Sequence, residues 1–236
     1  MDELGGWVRA LAEAATDHAT SPRRICDLCV AMLDVTGAGI SMVTEAGNRG
    51  VVCATDDVAA QMEDLQFTLG EGPCVDAVQS GAPVLISDLA LPDDVAIERW
   101  PAFMKGVGTA GVRAVFAFPL RIGAINVGAL DLYRDRSGEL SGGQRRAAFM
   151  AADAAALALL RAEIGSDDAF VDDADATFAY QHQVHQATGM VQVQLGVATD
   201  EAFLMLRARA FALGRPLFDV ATDVVERRLR FTVEDK

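Results

Sequence analysis

Between residues 184 and 225, apolar side chains recur at helical spacing, broken twice by residues that stop or start a helix. Val184, Ala187, Val191 and Leu195 fall three or four positions apart and share one stripe of a helix. Thr199, ahead of Asp200, Glu201 and Ala202, reads as the next start. Its hydroxyl can take a free amide, and the two carboxylates suit the positive end of the helix dipole. This second helix carries Phe203, Leu206 and Ala210 and ends at Leu213, because Gly214 tolerates a left-handed cap and Pro216 cannot continue a helix. Leu217, Val220, Ala221, Val224 and Val225 place one apolar face on a third. Three helices of this length can bury one small shared core.

The run Ala187-Thr188-Gly189-Met190-Val191, followed by Glu201-Ala202-Phe203, Leu206-Arg207 and Ala210, then Leu217, Val220-Ala221 and Val224-Val225, resembles the ANTAR domain of transcription antitermination regulators. The resemblance implies a three-helix unit that binds RNA hairpins and favours transcription past a terminator. A rotation of about 100° per residue puts His185, Thr188, Gly189 and Gln192 on a stripe beside the buried seam of the first helix. Gly189 costs about 1 kcal/mol against alanine in a helix, which suggests close approach by a partner helix or RNA. Arg207 and Arg209 on the second helix, and Arg215 after it, can reach phosphates as charge-assisted donors. Thr188 stands where family members commonly have lysine, so a phosphate partner is lost there while hydrogen bonding is kept.

The preceding residues read as a separate α+β unit with a mostly antiparallel sheet. A helix is expected over 3–19 and another from Ser21-Pro22, where Ile25, Leu28, Cys29 and Met32 recur at helical spacing. Gly39 to Thr44 and Val51 to Thr55 flank a turn at Glu45 to Asn48 and predict a hairpin. A glycine-rich turn at Leu69 to Cys74 runs into a short helix, Pro83 to Ile86 reads as a strand, and the segment around Trp100-Pro101 as irregular. Val112 to Leu120 and Ile125 to Tyr133 are two further strands. Ser141 with Gln144 forms a capping box opening an alanine-rich helix to about Ile164.

Leu69 to Cys74, with Ser80 to Val84, Ser87-Asp88-Leu89, Trp100-Pro101 with Phe103, and Phe118-Pro119-Leu120, resembles the GAF domains that precede ANTAR domains in actinobacterial regulators. That resemblance implies a pocket for a small molecule between the sheet and its covering loops. Leu69, Gly70, Glu71, Gly72 and Cys74 are the candidate wall, since glycines let backbone amides approach a ligand closely; the alternative is a plain tight turn. The sequence names no cofactor. His18, expected on an exposed flank of the first helix, is the one histidine before residue 177 that could serve haem as an axial ligand. Cys26 and Cys29 have a metal-like spacing that Cys53 and Cys74 could complete, but they sit in an apolar helical pattern where cysteine acts as a small hydrophobe. No Ser/His/Asp arrangement, phosphate loop with lysine or HExxH sequence occurs, so an enzyme is not expected.

The 236 residues divide as a sensor over 1–164, an acidic linker over 165–176 and a three-helix unit over 177–236. Thr177 to Lys236 holds seven basic and seven acidic side chains; the first 176 residues hold 13 and 27. Nucleic acid is therefore repelled by the first part and tolerated by the second. No apolar run reaches the ~18 residues of a spanning helix, and Met1-Asp2-Glu3 lacks the layout of a secretion signal, so a cytoplasmic protein without a membrane partner is expected. The alanine-rich helix, apolar around much of its circumference, suggests a parallel homodimer through it and the first helix. The expected function is a ligand- or partner-controlled RNA-binding antitermination regulator. The rivals are a protein-interaction module on a dimerisation scaffold, and a redox or metal sensor acting through the cysteines.

Overall fold

The computed structural model describes residues 3–16, 21–44, 47–90, 98–108, 110–164 and 174–232. It divides into two compact units, Met1–Ala174 and Asp175–Lys236.

In the first unit, α1 (Glu3–Thr16) and α2 (Ser21–Met32) precede the hairpin of β1 (Gly37–Thr44) and β2 (Gly47–Ala54). Then follow α3 (Asp57–Leu69), α4 (Pro73–Ser80), β3 (Val84–Ile86), α5 (Pro101–Val107), β4 (Ala114–Ile122), β5 (Ile125–Arg134) and α6 (Gly142–Ile164). The five strands form one sheet in the order β2-β1-β5-β4-β3, with every neighbouring pair antiparallel. His18 and part of the expected hairpin turn lie outside the described residues.

Side-chain alternation splits the sheet between two cores. Ala38, Ile40, Phe116, Phe118, Leu120, Leu130 and Leu132 face the helices α1, α2 and α6, where Ala148, Ala151, Ala152 and Ala155 are fully or almost fully buried. The opposite face packs under α3, α4 and α5, with Met62, Trp100, Phe103, Val115 and Tyr133 in its apolar part. The capping box opens α6 as the sequence indicates: the Ser141 amide donates to Gln144 Oε1 at 2.8 Å, and the Gln144 amide to Ser141 Oγ at 3.2 Å.

Two helices depart from the sequence reading. α3 has Glu63, Gln66 and Thr68 buried, so the apolar periodicity that would announce it is broken. It starts at an Asp56 cap, whose Oδ1 accepts from the Ala59 amide at 2.8 Å and from the Tyr133 hydroxyl at 3.0 Å. α5 replaces the irregular segment expected at Trp100-Pro101. Pro101 occupies its first turn, and the cap comes from far away: Glu71 Oε1 accepts from the amides of Ala102 at 2.7 Å and Phe103 at 3.0 Å.

The second unit holds α7 (Ala174–Leu195), α8 (Thr199–Leu213) and α9 (Leu217–Val225). Its core is Val184, Ala187, Val191, Leu195, Ala202, Leu206, Ala210, Leu217, Val220, Ala221, Val224 and Phe231, all at most 5% exposed. α7 begins at Ala174, inside the stretch expected as linker; the rest of that stretch, residues 165–173, lies outside the described residues. Thr199 does not cap α8. Ala198 holds the cap position, and the Thr199 hydroxyl donates to Gln192 Oε1 at 3.2 Å, tying the end of α7 to the start of α8. Gly214 closes α8 in the left-handed conformation at φ 61°.

Candidate functional site

Under α3 and α4, the sheet carries a closed polar cluster inside an otherwise apolar core. Asp131 rises from the middle of β5, beside Gly39 of β1, and Ser41 lies two residues along on the same face. Glu63 and Gln66, one helical turn apart on α3, point down onto them. Cys74 enters from the first turn of α4. Glu63, Gln66, Cys74 and Asp131 are no more than 1% exposed, and Ser41 is 4%.

Part of the cluster is internally bonded. Gln66 Nε2 donates to Asp131 Oδ2 at 2.9 Å, Gln66 Oε1 accepts from the Cys74 amide at 2.8 Å, and Cys74 Sγ lies 3.2 Å from Ser41 Oγ. The remainder depends on a proton: with both carboxyls ionised, the two oxygens of Glu63 and Oδ1 of Asp131 have no donor, whereas a protonated Glu63 bonds Asp131. Gly39 makes room for Glu63, since a Cβ there would meet Oε1 at 2.7 Å. Burial pushes the Glu63 carboxyl well above its ordinary range, with the Asp131 charge adding to it, and raises Asp131 to about 6. The Cys74 thiol is raised for the same reasons, burial first and the neighbouring carboxylates after it. Among the described residues, none of the groups that shift these three is a cation.

The expected pocket wall takes on separate tasks. Gly70 is the exposed left-handed cap of α3, Glu71 caps α5, and Leu69 packs partly buried beside the Trp100 and Phe103 core. Gly72 adopts φ 135°, open only to glycine, where a Cβ would stand 2.6 Å from Gln66 Oε1. Of the five, Cys74 alone has its side chain in the polar cluster. The four cysteines do not converge either. Cys26, Cys29 and Cys53 belong to the core against α2, with Cys26 and Cys53 sulfurs 3.3 Å apart, while Cys74 is on the other side of the sheet. Burial raises the Cys26 and Cys29 thiols, as expected of core hydrophobes.

In the second unit, His185 and Gly189 are exposed on α7, and a Cβ on Gly189 would meet nothing within 4 Å. The close approach expected there is thus not made by this unit's own helices. Gln192 is half-buried and holds Thr199. Thr188 leaves the expected exposed stripe: it is 4% exposed, and its hydroxyl donates to the Val184 carbonyl at 2.8 Å, one turn back along the helix. The arginines are engaged within the fold. The Arg207 guanidinium lies 5.7 Å from the Phe203 ring centre, and burial lowers its pKa; Arg209 lies 5.2 Å from the Phe231 ring. Arg215 Nη1 donates to Asp223 Oδ2 at 2.7 Å, and Arg228 Nε to Asp223 Oδ1 at 2.7 Å.

A family model described as the GAF domain matches residues 22–160, more than half of the chain. The chain belongs to the GAF domain family. An ANTAR domain follows at residues 172–225, so a GAF domain and an ANTAR domain stand in that order on one chain, both of them regulatory modules. No curated protein matches the sequence. Solved structures similar to the GAF domain include that of the GAF domain from an Acinetobacter phosphoenolpyruvate-protein phosphotransferase. It is 11% identical, with 70% of this chain and 96% of that one covered and a TM-score of 0.54. The GAF domain of a Coxiella burnetii phosphoenolpyruvate-protein phosphotransferase is also 11% identical, with 68% and 94% covered and a TM-score of 0.52. At that identity they show the fold. No described helix is long and apolar enough to cross a membrane.

Sequence reasoning missed two features of these domains. In the GAF domain it passed over Glu63, Gln66 and Asp131, whose signal is a lone polar residue amid apolar neighbours, as in Ala129-Leu130-Asp131-Leu132-Tyr133. In the ANTAR domain it passed over Val193, Leu204, Phe211 and Leu213, large apolar side chains between 47% and 83% exposed. Their signal was their position off the buried seam.

Proposed function

We propose that the protein is a signal-responsive regulator of transcription antitermination, in which the GAF domain governs how the ANTAR domain engages RNA hairpins. The observation that carries this reading is the order of the two domains on one chain, residues 22–160 and then 172–225. The protein acts in the cytoplasm as a homodimer, bringing two ANTAR domains to RNA. Dimerisation runs through α6 and α1, where Leu157 and Val8 are 42% and 44% exposed. The input is a small effector taken up by the GAF domain. His185, Gly189 and Gln192 offer hydrogen-bonding groups and an open backbone on α7, and Phe211 offers a ring on which a base can stack. Thr188 is a packing residue in this reading, and Arg207, Arg209 and Arg215 reach phosphate by exchanging or sharing their present partners.

The test is retention of structured RNA hairpins by the full chain across a salt series, with Gln192→Ala, Arg207→Ala and Phe211→Ala alongside. Selective binding that weakens steeply with salt and with these changes is expected, because displaced counterions report phosphate contacts. Equal retention of hairpins and scrambled RNA at every salt concentration refutes it.

A second reading rests on the same exposed apolar residues. Val193, Leu204, Phe211 and Leu213, on a region of no net charge, suit a protein partner. Association with a protein that is insensitive to salt, with no RNA retained, favours that reading.

A further inference from the structure

We propose that Glu63, Cys74 and Asp131 form a buried site for one divalent first-row transition-metal ion of the zinc, cobalt(II) or iron(II) kind. One ligand atom from each lies within 4.8 Å of the others. A tetrahedral ion with bonds of about 2.0–2.3 Å needs its ligands about 3.6 Å apart, so closure takes shifts of about an ångström.

The cluster has the donors and the closeness of a cation site. Two buried carboxylates and a thiol share a core in which, among the described residues, none of the groups that shift them is a cation. Buried carboxylates ordinarily have a paired charge, hydrogen bonds or a metal ion. With both carboxyls ionised, Glu63, 1% exposed, has no donor on either oxygen and Asp131, fully buried, has none on Oδ1; these are the atoms an ion would take up. The rest of the cluster orients them. Gln66 holds Asp131 by its other oxygen and the Cys74 amide by its carbonyl, as hydrogen bonds around a metal hold its ligands, and Ser41 adds an oxygen 3.2 Å from the sulfur. Gly39 keeps the Glu63 carboxylate free of a neighbouring Cβ.

The donor set selects the class. A thiolate disfavours magnesium and calcium, which take oxygen alone, and two carboxylates disfavour copper(I), so a borderline divalent ion remains. Binding releases the Cys74 and Glu63 protons, and any held by Asp131, to solvent and leaves two carboxylates and a thiolate around the ion. It joins α3 and α4 to β5 through three bonds, and it stands apart from the RNA reading because metal uptake is measured without RNA.

The experiment titrates cobalt(II) into the full chain, purified metal-free and reduced under anaerobic conditions, and follows absorption, with zinc added afterwards to displace it. The expected result is saturation at one equivalent with a thiolate-to-cobalt charge-transfer band, lost in Cys74→Ser and kept in Cys26→Ser and Cys53→Ser. Glu63→Gln, which preserves shape, is expected to weaken binding at least tenfold while near-ultraviolet circular dichroism stays unchanged, so a folding defect is told apart from loss of a ligand. Absence of the band at saturating cobalt overturns the proposal. So does a band that survives Cys74→Ser or disappears with Cys26→Ser or Cys53→Ser, because the ion would then sit among the cysteines on the other side of the sheet.

Discussion

Glu71 lies 31 and 32 residues before the amides it serves, yet it supplies the side-chain cap at the start of α5. Replacing it with alanine removes two hydrogen bonds to a carboxylate, at Ala102 and Phe103, and takes a negative charge from the positive end of a helix. Hydrogen bonds to charged groups contribute about 1.5–3 kcal/mol each, and loss of a cap costs about 0.5–2 kcal/mol. The two bonds share one oxygen on a half-exposed residue, so solvent screening reduces their sum, and we expect Glu71→Ala to cost about 2–3 kcal/mol. Glu71→Gln keeps an acceptor and loses the charge, for about 1 kcal/mol. Urea unfolding read by tryptophan fluorescence suits the assay, because Trp100 lies edge-on to Phe103 with ring centres 6.5 Å apart. Hydrogen exchange at the Ala102 and Phe103 amides should accelerate in the alanine variant before global unfolding. A cost below about 0.5 kcal/mol with unchanged exchange at those amides would refute the remote cap.

Gly72→Ala should cost about 2–3 kcal/mol, combining a disfavoured positive φ with a clash against Gln66 Oε1, measurable by the same urea titration. Leu206→Ala in the fully buried seam of α8 should cost about 3 kcal/mol and unfold the ANTAR domain selectively, seen as protease sensitivity confined to the C-terminal helices. Asp223, held below the usual carboxylate range by Arg215 and then Arg228, stabilises the fold above its unfolded-state pKa, and that contribution is lost as pH falls through the lower folded value. In Asp223→Asn the ANTAR helices should therefore melt earlier at neutral pH and show a flatter acid limb in thermal unfolding; an unchanged pH profile would contradict the pairing.

The seams of α7, α8 and α9 were legible because the buried positions, Thr188 apart, are apolar and recur at helical spacing, and Gly214 ends α8 by its own backbone preference. Legibility failed where structure depends on contacts distant in sequence. The cap of α5 comes from Glu71, and the inner face of α3 is polar because Asp131 and Cys74 meet it there; neither relation leaves a local pattern. Thr188 shows the same limit within one helix, since its β-carbon position fits an exposed stripe while its hydroxyl turns back onto the Val184 carbonyl. The cysteine spacing hinted at a four-sulfur site, and sheet topology alone put Cys74 on the opposite face from the other three.

The sheet order also sets a timetable for synthesis. β1 must wait for β5, its neighbour on the inner side, and Arg134 at the end of β5 bonds back to the Asp34 carbonyl across 100 residues. At about 5–20 residues per second of translation, the hairpin of β1 and β2 spends several seconds with one edge unpaired before the strand that covers it leaves the ribosome. The GAF domain can close only after that strand emerges, and the ANTAR helices follow it, so the nascent chain completes its sensing module before its output module exists.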